Sequence, residues 1–234
     1  MRTIKKHHER KKEFLEIARK LFFTHGYEQT PVEAIIKEVG LSKGSFYYYF
    51  KSKEDLLDEL TKELSQQILE KVKEIVAKEN WNAVRKLNEA YKETASIKLE
   101  NIKLVKTLLK AFYGDKNYYF RYKVYQNSTD MLAPEFAEII KQGLKEKVFN
   151  TPYPDEASRM FFELSFVLSE KVPKMIMEID RFPENIEKIE KELGNYQFAI
   201  ERIIGAKEGS IKIFNRALLK KFLEKLKVQY EKKE

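Results

Sequence analysis

Interruptions of helical sequence are scarce in this chain, and that scarcity limits its fold more than any other feature. The 234 residues include only 8 glycines and 6 prolines, and no segment after Leu57 alternates polar and apolar residues as a half-buried strand would. From residue 53 onward the predicted helices are 53–78, 81–97, 99–113, 117–131, 134–147, 155–179, 184–204 and a last amphipathic one at 210–231. The sequence therefore predicts an all-α fold.

A helix-turn-helix is predicted within residues 30–57. Thr30 can cap the first short helix, Pro31 suits its first turn, and Gly40 follows its last apolar residue, where a left-handed conformation would end the helix. Ser42 can then cap a second helix of roughly eight residues, about 12 Å long. A rod of that length fits a major groove about 12 Å wide, so the segment predicts DNA binding.

The second helix has an inner aromatic face and an outer polar one. Phe46 and Phe50 are four residues apart and should both point inward. The residues predicted to face outward are Lys43, Gly44, Ser45, Tyr47 and Tyr48. Tyrosine hydroxyls can meet phosphates, and Gly44 lets the helix approach DNA closely because it carries no side chain. Half-buried packing of the tyrosines and simple solvation of the nearby lysines are the alternatives.

Positive charge is concentrated around this segment. The chain carries a net charge of +8, and residues 1–54 hold 12 Lys/Arg against 7 Asp/Glu, which leaves +3 for the other 180 residues. Clustered positive charge is the electrostatic footprint of a phosphate-binding surface. A basic stretch near the N-terminus can add phosphate contacts or remain a solvated end: Lys5, Lys6, Arg10, Lys11 and Lys12.

The order of short motifs between residues 10 and 60 is specific. It consists of an apolar helix ending in Gly-Tyr, a helix opened by threonine and closed by glycine, a Ser-x-Gly-Ser run, an aromatic-Tyr pair and a Ser-Lys-Glu-x-Leu sequence. These motifs are carried by Ile17, Ala18, Leu21, Phe22, Gly26, Tyr27, Thr30, Ala34, Ile35, Ile36, Gly40, Ser42, Gly44, Ser45, Phe46, Tyr47, Phe50, Ser52, Lys53, Glu54 and Leu56. In this order they resemble the TetR family of bacterial and archaeal transcriptional repressors, although Tyr49 stands where many members have histidine.

The resemblance implies two domains and a division of labour between them. Residues 1–54 would form the DNA-binding domain, and residues 55–234 a helical ligand-binding and dimerisation domain. The positions implied to contact DNA are Thr30, Ser42, Lys43, Gly44, Ser45, Tyr47, Tyr48 and Lys53. A homodimer through helices at about 155–179 and 184–204 would place two recognition helices ~34 Å apart on a palindromic operator.

The same resemblance implies a ligand cavity, and aromatic residues are dense where it would lie. The residues predicted to bind ligand are Phe112, Tyr113, Tyr119, Tyr122, Tyr125, Met131, Phe162 and Phe166. Aromatic walls with a few hydroxyls suit a largely apolar small molecule such as a drug, a lipid or a fatty acyl compound. Filling of the core is the alternative for each of these residues.

Other classes of protein are disfavoured by what the sequence lacks. There is no cysteine, and the three histidines, His7, His8 and His25, all lie in or near the predicted DNA-binding segment, so no metal or cofactor is expected. No glycine-rich phosphate loop or nucleophile motif points to an enzyme. No apolar run approaches the ~18 residues of a membrane span, and residues 1–16 lack an apolar signal core, which predicts a cytoplasmic protein.

Two functions stay open at this point. The first is a dimeric repressor that a small apolar molecule releases from its operator. The second is a constitutive or architectural DNA-binding protein without a sensor. The predicted terminal helix at 210–231 can cover the core, extend the dimer or meet an anionic surface.

Overall fold

A computed structural model describes residues 2–113, 118–179 and 181–213, together with residues 217, 219–221 and 224; the side chains of residues 2–6, 112–113 and 119–120 lie outside this description. The helices are α1 (Arg2–His25), α2 (Val32–Val39), α3 (Lys43–Tyr49), α4 (Lys53–Val76), α5 (Ala83–Glu100), α6 (Ile102–Tyr113), α7 (Tyr118–Lys145), α8 (Pro154–Met177) and α9 (Asn185–Ile203). The described part of the chain contains no strand, and the predicted all-α fold is confirmed. None of its helices is long and apolar enough to cross a membrane.

The chain divides into two compact units. Unit 1 comprises residues 1–64 and 103–124, and unit 2 comprises residues 65–102 and 125–234. The domain division predicted after residue 54 stays a prediction.

Unit 1 contains the helix-turn-helix on an aromatic core. In it α1 packs against α2 and α2 against α3. Phe14, Phe46 and Phe50 are buried, with ring centroids 5.6 Å apart between Phe14 and Phe46 and 6.1 Å apart between Phe14 and Phe50. Gly40 ends α2 at φ +74°, as predicted, and its N–H donates to the carbonyls of Ile36 and Lys37. Local sequence signals therefore set both the turn and the inward face of α3.

The start of α2 differs from the prediction. The helix begins at Val32, with Pro31 in an extended conformation before it, and the Thr30 side chain does not cap it. The Thr30 hydroxyl instead donates to the Gly26 carbonyl at 2.7 Å, and Thr30 is buried. The free carbonyls at the end of α1 offer its hydroxyl another partner.

A buried carboxylate links α4 to the first turns of α7 within unit 1. Asp58 is only 1% exposed, and its carboxylate lies 2.8 Å from the Lys123 ammonium and 3.2 Å from that of Lys62. Removing either partner of such a pair is costly because the other charge is then left buried.

In unit 2, α7 continues through Pro134, which lies at the junction of two predicted helices. The predicted helices at 117–131 and 134–147 form one helix, with Pro134 inside it. Proline removes one backbone hydrogen bond at a cost of about 3 kcal/mol. The apolar face nevertheless continues across it, since Leu132, Ala133, Phe136 and Ile140 are all buried. Burial of this face outweighs the local penalty.

Helices α8 and α9 pack against each other in unit 2. The Tyr196 hydroxyl of α9 donates to the Phe161 carbonyl of α8 at 2.8 Å. At the other end of the pair, Ile179 and Ile189 are buried, and Leu219 packs against them. The described part of the C-terminal segment therefore contacts this end of α8 and α9.

The segment that follows α9 is fixed by backbone hydrogen bonds. Asn150 N–H donates to the Ile204 carbonyl at 2.7 Å, beside Gly205 with φ +62°. The buried Glu201 carboxylate accepts the N–H groups of Gly209 at 3.0 Å and Ile211 at 2.9 Å.

The terminal helix starts later than predicted. Residues 210–213 are not helical, and helix is described only at residues 217, 219–221 and 224. Side chains hold this stretch instead: the Glu201 carboxylate accepts Ile211 N–H, and Asn88 Oδ1 accepts Lys212 N–H at 2.7 Å.

Candidate DNA-binding site

The recognition helix α3 is built as its sequence predicts. The Ser42 hydroxyl accepts a hydrogen bond from Ser45 N–H at 3.2 Å and caps the helix. Phe46 is fully buried, whereas Tyr47 is 48% exposed and Tyr48 is 70% exposed. The Tyr47 and Tyr48 rings thus project from α3 on the exposed side, while the Phe46 ring packs in the core on the opposite side. Such rings can stack on sugars while their hydroxyls reach phosphates.

Six of the eight predicted DNA-contacting residues share the open side of α3 and its cap. Ser42, Lys43 and Gly44 are exposed and Ser45 is partly exposed, next to the two tyrosines. The Lys43 ammonium lies 6.0 Å from the centre of the Tyr47 ring and 3.7 Å from the exposed Glu33 carboxylate. An exposed ion pair of this kind is weak, so Lys43 remains available to a DNA acceptor.

The other two predicted residues, Thr30 and Lys53, point into the protein. Thr30 closes the turn between α1 and α2, as described above. The Lys53 ammonium donates to the Tyr27 carbonyl at 2.9 Å and lies 4.3 Å from the centre of the Tyr27 ring. Burial, followed by the charge of Glu54, raises the pKa of the Tyr27 hydroxyl far above its usual range, so this ring stays neutral. Lys53 therefore fastens the start of α4 to the end of α1.

The start of α4 is capped by Ser52. The Ser52 hydroxyl accepts Asp55 N–H at 3.2 Å, and the Asp55 carboxylate accepts Lys51 N–H at 3.0 Å. This reciprocal pair fixes the short connection between α3 and α4.

Replacing Lys53 by methionine should lower the stability of unit 1 by about 1–2 kcal/mol, because it removes a hydrogen bond to a carbonyl and a cation–π contact. The salt dependence of DNA binding should hardly change, since each lost phosphate contact reduces the slope by about 0.9 and this ammonium faces Tyr27. Thermal unfolding and DNA titrations at several salt concentrations measure the two quantities. Lys43→Met is the matched control, with weaker DNA binding and unchanged stability. A slope reduced by about one in Lys53→Met would contradict the inward role.

His7 lies beside the recognition helix, a contact that no sequence pattern predicts. The His7 ring of α1 lies 5.4 Å from the Tyr48 ring and 4.8 Å from the Tyr49 ring. The residues are some forty positions apart, so helical spacing cannot connect them.

In the basic stretch of α1, Lys11 pairs with Glu59 and Lys12 lies 3.8 Å from Glu16. Part of the predicted basic arm is thus already engaged inside unit 1.

The structure brings together some of the residues predicted to bind ligand. Tyr125 and Phe166 are in contact, with ring centroids 4.8 Å apart, and Phe162 lies 5.6 Å from Phe136. Met131 in unit 2 is partly buried. Tyr122 belongs to unit 1, where its ring stacks on Tyr118. The side chains of Phe112, Tyr113 and Tyr119 lie outside the described residues.

Family models match both parts of the chain. One described as "Bacterial regulatory proteins, tetR family" matches residues 14–60, which include the helix-turn-helix. Another, "Tetracyclin repressor-like, C-terminal domain", matches residues 103–179. Together the two models cover more than half of the 234 residues.

Curated relatives are similar over a limited stretch. The chain is 37% identical over 75 residues to the fatty acid metabolism regulator protein of Bacillus subtilis, which is 32% of this chain and 38% of that protein. It is 38% identical over 68 residues to the HTH-type transcriptional repressor KstR2 of Rhodococcus jostii, which is 29% of this chain and 33% of that protein. The chain thus spans less than two fifths of the length of these relatives.

Solved structures are similar over most of the chain. A TetR-family transcriptional regulator from Syntrophomonas wolfei gives a TM-score of 0.57 at 21% identity, covering 82% of this chain and 95% of that one. The SmeT–triclosan complex gives a TM-score of 0.58 at 15% identity, covering 88% of this chain and 98% of that one. At these identities the likeness concerns the fold. With a capped helix α3, matches to both TetR models and relatives that are themselves regulators, the chain belongs to the TetR family of bacterial regulatory proteins.

Proposed function

We propose that the protein is a cytoplasmic dimeric repressor that leaves a palindromic operator when a largely apolar small molecule binds. The observation that carries the DNA-binding part is the exposed face of α3, where Tyr47 and Tyr48 stand beside Lys43 over a buried Phe46. Lys43 and the Gly44 backbone would meet base edges in the major groove, and the tyrosines, Ser42 and Ser45 would meet the phosphate backbone. Thr30 and Lys53 would support this surface from behind.

Exposed apolar side chains on α8 and α9 support a dimer. Met160 and Val167 are seven residues apart on α8 and are 47% and 52% exposed, and Phe198 on α9 is 53% exposed. Large apolar side chains at helical spacing favour a partner helix rather than water. A second copy of the same two helices would bury these apolar side chains in a twofold interface. The two recognition helices would then meet successive major grooves.

Changing Phe198 to glutamate should convert the dimer into monomers, because it would place a charge at an apolar interface. Light scattering after size exclusion would measure the mass, and fluorescence anisotropy would measure affinity for an operator selected from random DNA. We expect the variant to lose most of its affinity for the full palindrome and to keep its affinity for a half-site. Glu187→Gln, at an exposed position of α9, serves as the control. A wild-type protein that is monomeric at micromolar concentration would refute the dimer.

Aromatic contacts inside unit 2 support the sensing part. The Tyr125–Phe166 and Phe136–Phe162 pairs provide apolar surface, and the similarly folded SmeT has been solved with triclosan. An effector acts only through its preference for the conformation that does not fit the operator, since equal affinity for both conformations shifts nothing. Titration of apolar compounds into the operator complex would test this part. Release of DNA by a compound that also raises the unfolding temperature would support it, and failure of a broad set to do either would leave a constitutive DNA-binding protein.

A further inference from the structure

The inner face of α5 carries polar groups beside its buried apolar residues. Leu87 and Ala90 are fully buried, which identifies the side of α5 that faces the interior of unit 2. Tyr91, Thr94 and Lys98 follow along the same side at intervals of three and four residues. A hydroxyl, a second hydroxyl and an ammonium group thus continue an apolar stripe.

Lys98 is a cation without a counterion. It makes no hydrogen bond or ion pair to any residue that the structure describes. Its side chain is exposed, although its helical position places it on the side of α5 where Leu87 and Ala90 are buried. Desolvation by the surrounding protein lowers the pKa of its ammonium group. A lysine that lines an unfilled recess within the protein would combine an exposed side chain with a lowered pKa. A cation in such a place is poorly solvated and gains from an anion brought to it.

The two hydroxyls nearby are also unpaired. Tyr91 Oη and Thr94 Oγ1 are buried and have no hydrogen-bond partner within the described part of the chain. Burial raises the pKa of the Tyr91 hydroxyl, to which the nearby Tyr196 adds, but the geometry between these two hydroxyls is not that of a hydrogen bond. An unpaired buried hydroxyl is destabilising, so a ligand atom that reached either oxygen would supply the missing hydrogen bond.

Aromatic rings lie beside this polar row. The Tyr91 ring is 5.6 Å from the Phe136 ring, and Phe136 in turn is 5.6 Å from Phe162, both in edge-to-face geometry. An apolar body could therefore rest against Phe136 and Phe162 while its charged end reached along α5. All of these residues belong to unit 2.

We propose that the inner face of α5 is an anchor for an amphiphilic organic anion, whose acidic group pairs with Lys98, whose nearer polar atoms meet Thr94 and Tyr91, and whose apolar body lies against Phe136 and Phe162. The inference rests on the proposed sensing function and narrows it: the effector is an apolar molecule with one anionic end. The carboxylate or sulfonate supplies the counterion that Lys98 lacks, and the aromatic wall supplies most of the buried area.

A pair of fluorescent probes tests the charge directly, without DNA. 1-Anilinonaphthalene-8-sulfonate carries one anionic group, and N-phenyl-1-naphthylamine has the same ring system without it. We expect both to bind, and Lys98→Met to weaken binding of the sulfonate about tenfold or more while leaving the neutral probe unchanged, because a hydrogen bond to a charged group is worth at least ~1.5 kcal/mol. Lys98→Arg should retain the preference for the sulfonate.

Lys92→Met is the matched control, since this α5 lysine is exposed and pairs with Glu89 at 2.8 Å. It should bind both probes as the wild type does. Circular dichroism and thermal unfolding confirm that each variant is folded, and Lys98→Met should unfold at no lower temperature because it removes a poorly solvated charge. Equal binding of the sulfonate by Lys98→Met and the wild type, or binding of neither probe by the wild type, would overturn the anchor. Sulfonate binding that depends on Lys98 but never releases operator DNA would keep the anchor and refute the sensor.

Discussion

Replacing Phe46 by alanine should unfold unit 1. Replacing Tyr48 by alanine, two residues along the same helix, should leave unit 1 folded and weaken DNA binding. Phe46 has no exposed surface, and its ring lies 5.6 Å from both Phe14 and Phe50. Truncation of a buried phenylalanine costs about 3–5 kcal/mol. That loss is comparable with the whole stability of a small helical domain, which is often only ~5 kcal/mol.

Tyr48 provides the matched contrast because it is 70% exposed. Its truncation should change stability by no more than about 0.5 kcal/mol. Loss of one hydroxyl–phosphate hydrogen bond and of ring contacts should weaken DNA binding about tenfold. The two variants therefore separate folding from recognition within one short helix.

Two spectroscopic signals and one binding assay distinguish these outcomes. The single Trp81 belongs to unit 2, so its fluorescence follows that unit, while far-ultraviolet circular dichroism follows all helices. Phe46→Ala should lose helical signal at a temperature where Trp81 fluorescence is still native. Operator affinity is measured by anisotropy. A Tyr48→Ala protein that binds DNA as tightly as the wild type would remove this tyrosine from the proposed interface.

Replacing Gly205 by alanine should destabilise unit 2 by about 3 kcal/mol or more, through two separate penalties. Gly205 has φ +62°, where a Cβ atom costs about 1–2 kcal/mol. A Cβ atom built there would also lie 2.5 Å from the Asn150 carbonyl oxygen. This neighbour is backbone, and its own N–H is held by the Ile204 carbonyl, so it cannot move away cheaply.

Gly209→Ala isolates the first penalty. Gly209 has a similar φ of +73°, but a Cβ atom there would meet nothing within 4 Å. Gly209→Ala should therefore lower the stability of unit 2 only by the ~1–2 kcal/mol of the left-handed conformation. Urea unfolding followed through Trp81 fluorescence compares the two variants, and an unchanged m-value shows that only stability has changed. Equal losses in both would mean that the chain at residues 150 and 205 separates readily.

The parts of the site that the sequence predicted are those set by near neighbours in the chain. Gly40 ends α2 in a left-handed conformation, Ser42 caps α3, and Phe46 points inward, each because of residues no more than four positions away. Spacing of this kind is a property of the helix itself and needs no knowledge of the rest of the fold.

What the sequence missed depends on distant partners. Lys53 is bonded to the Tyr27 carbonyl, 26 residues earlier, and His7 lies against Tyr48 from the far end of α1. Two helices were predicted at 117–131 and 134–147, whereas one helix continues through Pro134 because packing outweighs the local penalty of the proline, and that packing is not visible in the sequence. The unpaired Lys98 was equally invisible, since an isolated lysine in a helix gives no sign of whether a carboxylate will face it.

The buried Glu201 has a consequence for where the helical unit can be cut. Its carboxylate holds the backbone at Gly209 and Ile211, and Asn88 of α5 holds the same stretch through Ser210 and Lys212. Residues 209–212, which follow α9, are therefore part of the folded unit 2; we call them the strap. A boundary drawn at residue 179, where the family match ends, would discard α9 together with this strap. A shortened protein meant for ligand studies should keep every residue through 213.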